Sequence, residues 1–399
     1  MKYLVIIPDG AADLPINELG GKTPFEAASK PTLDALAAKS TVGTVSNVPA
    51  HMVPESDTAN LAILSYDPAV YSKGRSPLEA MSIGLTMNEG DIAFRMNVVT
   101  VSEDEEDYDN RIMLDHSADE ITTEEADELV KALEEEFGRE GRHVYTGISY
   151  RHCMIWNDPP AYSDFNRPHD HLGKRVGPIM PPEPYASMIR RSYEVLKDHP
   201  VNVKRRERGL KPANSVWFWS PGSKPALSSF KEKWGLDAAV ISAVDLIKGI
   251  GICAEMESID VDGATGNFKT NYEGKANAAI NAFKGGKELV YVHVEGPDEC
   301  GHRAERDNKV ESISRISERI LKPVYEYLKE CGEEFSIMLL PDHPTPICKR
   351  THTIDPVPFM IYRSNDEAVG VECFCEKSAE AKGNYVPEGH TLMELFVKK

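Results

Sequence analysis

The sequence predicts an α/β fold: a mostly parallel sheet flanked by helices and interrupted by an inserted α+β domain. Three observations carry this. Short apolar runs end in an acid or a histidine. Lys2–Pro8 ends in Asp9, Glu288–Val294 runs into Asp298 and His302, and Phe335–Pro341 ends in Asp342-His343, with His352 soon after. From Ala226 onward helical and strand patterns alternate, which implies parallel strands joined by helical crossovers. Between these parts lies a stretch of different character, with strands of its own and an acidic helix.

Taken in order, Lys2–Pro8 reads as a strand and Thr32–Lys39 as a short helix after Pro31. Ser56–Leu64 reads as a helix with Ser56 or Asp57 at the N-cap, where side-chain oxygens satisfy free backbone N–H groups. The character changes near Met81–Asn88. Ile92–Val101 alternates apolar and polar residues, as a half-buried strand does. Glu103–Asp107 is an acidic hairpin tip, Thr123–Phe137 an amphipathic helix capped by Thr122 or Thr123, and Val144–Trp156 further strands. Pro159–Pro184 is loop, Pro184–Lys197 helix and Ser215–Ser220 strand. The alternation then runs through Ser229–Trp234, Ser242–Ile250, Ser258–Val261, Tyr272–Lys284, Leu289–Val294, Lys309–Cys331, Phe335–Leu340 and Val357–Ile361. Residues 1–85 and 225–399 are therefore expected to form one discontinuous domain carrying the metal-type residues, and 86–224 an inserted substrate or lid domain.

Composition narrows the function. Across 399 residues the formal net charge is -19, with 41% hydrophobic and 27% charged residues, ordinary for a globular protein. The acidic balance argues against nucleic acid or an anionic membrane as partner, since both need a basic surface. The basic run Lys204–Arg208 reads as a solvated linker face. The apolar stretch Ala238–Met256 is broken by Asp245, Lys248 and Glu255 and does not span a bilayer. No cleavable signal precedes the first strand, and seven irregularly spaced cysteines fit a reducing cytoplasm. Oligomeric state is not readable.

The site chemistry follows from where strands end. In open α/β sheets, ligands bind beyond the carboxyl ends of the strands. Carboxylate and imidazole groups without thiolate suit Mn²⁺, Zn²⁺ or Mg²⁺. Asp298 and His302 meet at one point if the turn after their strand is helical, although they could instead cap the following helix. A carboxylate ending the run Leu4–Pro8 is buried and needs a cationic partner. Ser56 is either an N-cap or a nucleophile. At a helix start, backbone N–H groups and the dipole favour an anion, and a divalent ion lowers a serine pKa.

These segments, with Gly74–Ala80, Arg350–Phe359, Asp198–Asn202 and Pro212–Ser215, resemble the archaeal type of cofactor-independent phosphoglycerate mutase, within the alkaline phosphatase superfamily. The resemblance covers nearly the whole chain. It implies an alkaline-phosphatase-like sheet with a lid, and two divalent metals, Mn²⁺ before Zn²⁺ or Mg²⁺. Asp298, His302 and His352 would hold one, and Asp9, Ser56, Asp342 and His343 the other. Ser56 would become a phosphoserine, without 2,3-bisphosphoglycerate as cofactor. Asn60 lies where some relatives carry histidine.

The implied substrate is a small phosphorylated one. 3-Phosphoglycerate would give its phosphoryl group to Ser56 and take it back on the 2-hydroxyl. Arg75, Arg95 and Arg151 are candidates for gripping phosphate and carboxylate, because a guanidinium fits both. His169 and Asp170 are candidates for moving protons on the glycerate hydroxyls, and Lys275 is a further one. Three other readings stand beside this. One is a phosphoserine relay to another acceptor such as homoserine, for which the absence of a G-x-x-x-x-G-K-[ST] loop excludes only a conventional kinase. The others are a metal-dependent phosphatase and a non-enzymatic metal binder.

Overall fold

The structure is a computed structural model that describes residues 1–163, 165–366 and 368–397. Its strands in chain order are β1 (Lys2–Pro8), β2 (Thr41–Val45), β3 (Asp91–Val101), β4 (Met113–Asp115), β5 (Arg142–Ile148), β6 (Arg151–Asn157), β7 (Ser215–Ser223), β8 (Ala238–Ile241), β9 (Glu257–Ile259), β10 (Leu289–Val294), β11 (Phe335–Leu339), β12 (Val357–Arg363) and β13 (Tyr385–Val386). The chain forms two compact units, Met1–Ser72 with Ala226–Lys399, and Lys73–Pro225.

The first unit holds an eight-stranded sheet in the order β13-β2-β12-β11-β1-β10-β8-β9. β11, β1, β10, β8 and β9 run parallel to one another, and β12 is antiparallel to both β11 and β2. Strands buried on both faces read as continuous apolar runs, which is why Lys2–Pro8 shows no alternation. Leu4, Ile6, Val290, Val292, Ile337 and Leu339 face one core, packed with residues of the helices Pro31–Ala37 and Tyr272–Lys284. Each such fully buried aliphatic side chain contributes about 1.5–3 kcal/mol. Register positions the site: Ile7 pairs with His293 and Ile6 with Leu339, so β1, β10 and β11 end at one rim.

The second unit is an antiparallel sheet, β4-β3-β6-β5, with β7 also paired to β3. The helices Thr123–Phe137 and Tyr185–Leu196 supply Leu129, Leu133, Ile189 and Leu196 to its core. Thr122 caps the first of them, accepting from Glu125 N at 3.3 Å.

Several expectations change. The boundary moves from 85 to Ser72/Lys73, because the helix Ser76–Ser82 packs on β3 and β7. The N-cap of the helix Ser56–Ile63 is Glu55, so Ser56 is its first residue and its hydroxyl makes no cap bond. The single helix expected over Lys309–Cys331 is three pieces, with a π-turn at Ile316–Leu321 just ahead of Pro323, which has no N–H to continue the ladder. Lys204–Arg208 belongs largely to the helix Pro200–Glu207. Arg205 is not solvated: it is 2% exposed, ion-paired to Glu125, and donates to Ala118 O. The loop 159–184 contains the short turns Pro168–His171 and Gly177–Ile179. β2, β8 and β13 were not foreseen.

Candidate active site

Asp9 leaves β1 at the rim, fully buried. Gly10 follows with φ +60, and a Cβ there would meet Asp298 Oδ1 and Thr345 Oγ1 at 2.5 Å, so only glycine fits this close approach. Asp342 and His343 follow β11. Asp342 Oδ1 accepts from Gly10 N at 3.1 Å and His343 N at 2.9 Å, and Oδ2 accepts from Asn60 Nδ2 at 2.9 Å. Asp298 lies in the first turn of the helix Gly296–Arg303 after β10, where Thr345 Oγ1 donates to it at 2.5 Å.

The donor atoms converge in two groups. His343 Nε2 lies 3.1 Å from Ser56 Oγ, 3.5 Å from Asp342 Oδ2 and 3.7 Å from Asp9 Oδ1. Asp298 lies 3.3 Å from His302 Nε2 and 3.4 Å from His352 Nε2. The His343 and His352 rings stack at 3.9 Å, joining the groups. Thus Asp9, Ser56, Asp298, His302, Asp342, His343 and His352 meet at one rim of the first unit. Ligand atoms of Asp298, His343 and His352, and of Asp9, Asp342 and His343, lie within 4.8 Å of one another.

Electrostatics show what the rim lacks. His302 Nδ1 is 3.0 Å from Arg350 O and His352 Nδ1 is 2.7 Å from Pro54 O. A carbonyl only accepts, so both Nδ1 atoms carry hydrogen and both Nε2 atoms turn toward Asp298. These two Nε2 atoms are 2.9 Å apart and need a proton or a metal cation between them. The hydrogen bond to Asp298 pushes His302 up to about 9. Burial would raise Asp298, yet hydrogen bonds from His302 and His352 hold it well below the usual carboxylate range. Asp9 is raised by burial and by Asp342, Asp298 and Glu295, and its Oδ1 has no hydrogen-bond partner among the described residues. Buried carboxylates this crowded call for cations, and these donor types fit hard divalent ions.

The rim includes residues not foreseen as site groups. Glu295, which groups with Asp9 and Asp298, is pushed up to about 8 by burial and neighbouring carboxylates. Buried His293 Nε2 is 3.1 Å from Asp9 Oδ2, and burial lowers this imidazole to about 3. Beside them lies Lys275, a candidate from the sequence: its Nζ donates to His293 O at 2.6 Å, and burial lowers the amine to about 8. The signal available for His293 was a titratable residue inside a wholly apolar strand.

The other expected residues lie in the second unit. Arg95 makes a two-point ion pair with Glu79 and lies over the Trp219 ring at 4.4 Å. His169, in the turn Pro168–His171, meets the rings of Trp219 at 5.4 Å and His116 at 5.9 Å, and partial burial lowers its pKa. Its Nε2 is 3.7 Å from exposed Asp170. Arg151 lies over Tyr150 at 5.5 Å, and Tyr150 contacts His116 at 5.6 Å. Arg95, Trp219, His169, His116, Tyr150 and Arg151 thus form one continuous row of rings and guanidinium groups, with Trp219, His116 and Tyr150 the unforeseen members. Arg75 is half-buried at the start of the helix Ser76–Ser82.

Fold and rim define a class first: an α/β protein whose strand ends gather donors for divalent cations beside a serine hydroxyl at a helix start. The model of the 2,3-bisphosphoglycerate-independent phosphoglycerate mutase family matches residues 37–202. The mutase of that name from Methanosarcina barkeri is 44% identical over 404 residues, covering 100% of both chains. The probable one from Geobacter sulfurreducens is 40% identical over 404 residues, also covering 100% of both. The structure of the cofactor-independent phosphoglycerate mutase from Thermoplasma acidophilum superposes with a TM-score of 0.67 at 25% identity, covering 100% of this chain and 99% of that one. A Pyrococcus horikoshii protein gives 0.81 at 28% identity, covering 99% and 96%. The chain belongs to the 2,3-bisphosphoglycerate-independent phosphoglycerate mutases, a family of metal-dependent isomerases. Among the described residues no helix is long and apolar enough to cross a membrane.

Proposed function

We propose that this chain interconverts 3-phosphoglycerate and 2-phosphoglycerate in the cytoplasm through a phosphoserine on Ser56. One observation carries the reading: Ser56 Oγ is not used as a helix cap and lies 3.1 Å from His343 Nε2, within the donor rim. Asp298, His302 and His352 would hold one divalent ion, and Asp9, Ser56, Asp342 and His343 the other, with Mn²⁺ favoured by family resemblance. When bound, such ions lower the pKa of the serine hydroxyl and offset phosphoryl charge.

The chain's own residues do the rest. Ser56 Oγ attacks phosphorus, and the bond to the substrate's 3-oxygen breaks. That oxygen takes a proton, leaving glycerate and phosphoserine. The 2-hydroxyl of the same glycerate then attacks phosphorus, gives up its proton, and frees Ser56 Oγ. The first turn of the helix, with its backbone N–H groups and dipole, favours the phosphoryl charge. His169 and Asp170 move the hydroxyl protons, Arg75 and Arg151 hold phosphate and carboxylate, and Arg95, ion-paired to Glu79, is the weaker grip. Water must be kept from the phosphoserine, or the enzyme becomes a phosphatase.

The test is turnover of 3-phosphoglycerate by Mn²⁺-loaded protein, coupled to enolase and without 2,3-bisphosphoglycerate. Formation of 2-phosphoglycerate that is lost with EDTA and with Ser56→Ala is the expected result. No turnover at full metal content would sink the reading and move attention to another phosphoryl acceptor, homoserine first.

A further inference from the structure

Two fully buried residues at the rim, Asn60 and Tyr291, are left without a role by the mechanism above. Asn60 stands one turn after Ser56 in the helix Ser56–Ile63. Both hydrogens of its amide nitrogen are committed: Nδ2 donates to Ser56 O at 2.8 Å and to Asp342 Oδ2 at 2.9 Å. Its Oδ1 accepts the hydroxyl of Tyr291 at 2.5 Å. Tyr291 sits on β10, within a strand whose residues are all buried.

The order of these bonds matters. An amide can present either its oxygen or its nitrogen to a neighbour, and hydrogen bonding decides which. A carboxylate accepts only, so Asp342 requires the nitrogen. A flipped Asn60 would aim its oxygen at both Asp342 Oδ2 and Ser56 O, leaving three acceptors together in a buried place. Burial and the nearby Asp342 and Asp9 raise the Tyr291 hydroxyl well above its ordinary value, so it stays a donor. It donates toward Asn60 and fixes the amide with its nitrogen facing Asp342. Asp342 Oδ1 is held from the other side by Gly10 N and His343 N.

We infer that Tyr291 and Asn60 are a positioning pair: Tyr291 orients the Asn60 amide, which ties the first turn of the nucleophile's helix to the Asp342 carboxylate. Ser56 and Asp342 then keep one relative placement, as in-line transfer needs. The pair rests on the reading of Asp342 as a metal ligand and Ser56 as nucleophile. It touches neither substrate nor the reacting atoms.

The experiment measures Mn²⁺ affinity of the full chain by electron paramagnetic resonance, alongside kcat and KM for 3-phosphoglycerate, in Tyr291→Phe, Asn60→Ala and the double variant. Outer partners of metal ligands are typically worth roughly 10- to 100-fold in affinity or activity. The expected result is a loss of that size in the affinity of one Mn²⁺ equivalent, a lower kcat, and KM within about twofold for each single variant. The double variant is expected to be no worse than Asn60→Ala, because Tyr291 acts through Asn60. Wild-type Mn²⁺ affinity in Tyr291→Phe, or losses that simply add in the double variant, would overturn the pairing. A lower melting temperature with unchanged affinity would overturn it too, since that marks a packing role. If Asn60→Ala does not fold, Tyr291→Phe decides alone. Metal affinity tests the pair and turnover tests the mutase reading: weakened Mn²⁺ binding in a protein that never turns over 3-phosphoglycerate supports the pair and sinks the reading.

Discussion

The two units treat their charged residues in opposite ways. At the rim of the first, polar groups converge with demands unmet: Asp9 Oδ1 lacks a hydrogen-bond partner among the described residues, and two imidazole Nε2 atoms face each other at 2.9 Å. In the second, prominent arginines are already satisfied by carboxylates: Arg95 by Glu79, Arg190 by Asp109, Arg205 by Glu125 and Arg206 by Glu103. The difference teaches that a binding site is marked by unmet electrostatic need rather than by residue type. A guanidinium locked onto a protein carboxylate is a poor reserve for a substrate. A buried carboxylate without a partner is a strong claim on a cation.

The comparison breaks most sharply at Ser56. Ser56→Ala removes one oxygen from the rim and is expected to lower turnover of 3-phosphoglycerate by at least ~10³-fold, as loss of a covalent nucleophile does. Mn²⁺ should still bind, and mass spectrometry should find no phosphoserine. Retained turnover would show that the rim gathers cations for another purpose.

Metal removal comes next. If the rim's crowded carboxylates need cations, EDTA should abolish activity and lower the melting temperature. A ligand at 1,000 times its Kd stabilises by about 4 kcal/mol. An unchanged melting temperature after verified metal loss would mean that the rim tolerates its own charge, and the contrast between the units would fail.

Much of the rim was legible in the sequence because apolar strands must stop where the chain leaves the sheet. A carboxylate at such a stop, as Asp9 after Ile7-Pro8, is placed by the hydrophobic pattern itself. Asn60 and Tyr291 were illegible as partners: one looks like any helix residue and the other like any strand aromatic. Their meeting depends on long-range strand pairing. The boundary failed for a related reason. Ser76–Ser82 reads as a helix wherever it docks, and only packing on β3 and β7 assigns it to the second unit. Arg205 was misread because a basic run looks solvated until Glu125 is found beside it.

A smaller effect belongs to the second unit. His152 on β6 is 5% exposed, accepts from Gly147 N at 3.1 Å through Nδ1, and is lowered to about 4 by burial. Between about 4 and the ordinary histidine value of about 6.5 the folded state binds fewer protons here than the unfolded state. Stability from this group is therefore present above that window and lost as pH falls through it, by about 3 kcal/mol at most. His152→Asn keeps an acceptor for Gly147 and cannot charge. Urea unfolding in EDTA at pH 7 and pH 5 should show a smaller acid loss in the variant than in wild type. Equal losses would place the acid sensitivity elsewhere, for instance at His293.

The smallest effect sharpens the comparison within the second unit. Arg151 is exposed and lies over Tyr150, whereas Arg95 is committed to Glu79. If satisfied cations are structural and uncommitted ones grip substrate, the two arginines should fail differently. Arg151→Ala should raise KM for 3-phosphoglycerate roughly tenfold, worth about 1.4 kcal/mol, with little change in melting temperature. Arg95→Ala should lower stability by about 1.5–3 kcal/mol by stranding Glu79, a partly buried carboxylate. Its effect on KM should be smaller than that of Arg151→Ala. The reverse pattern, with KM controlled by Arg95, would mean that Glu79 releases its partner to the substrate. Pairing in the free protein would then be a poor guide to which arginine binds.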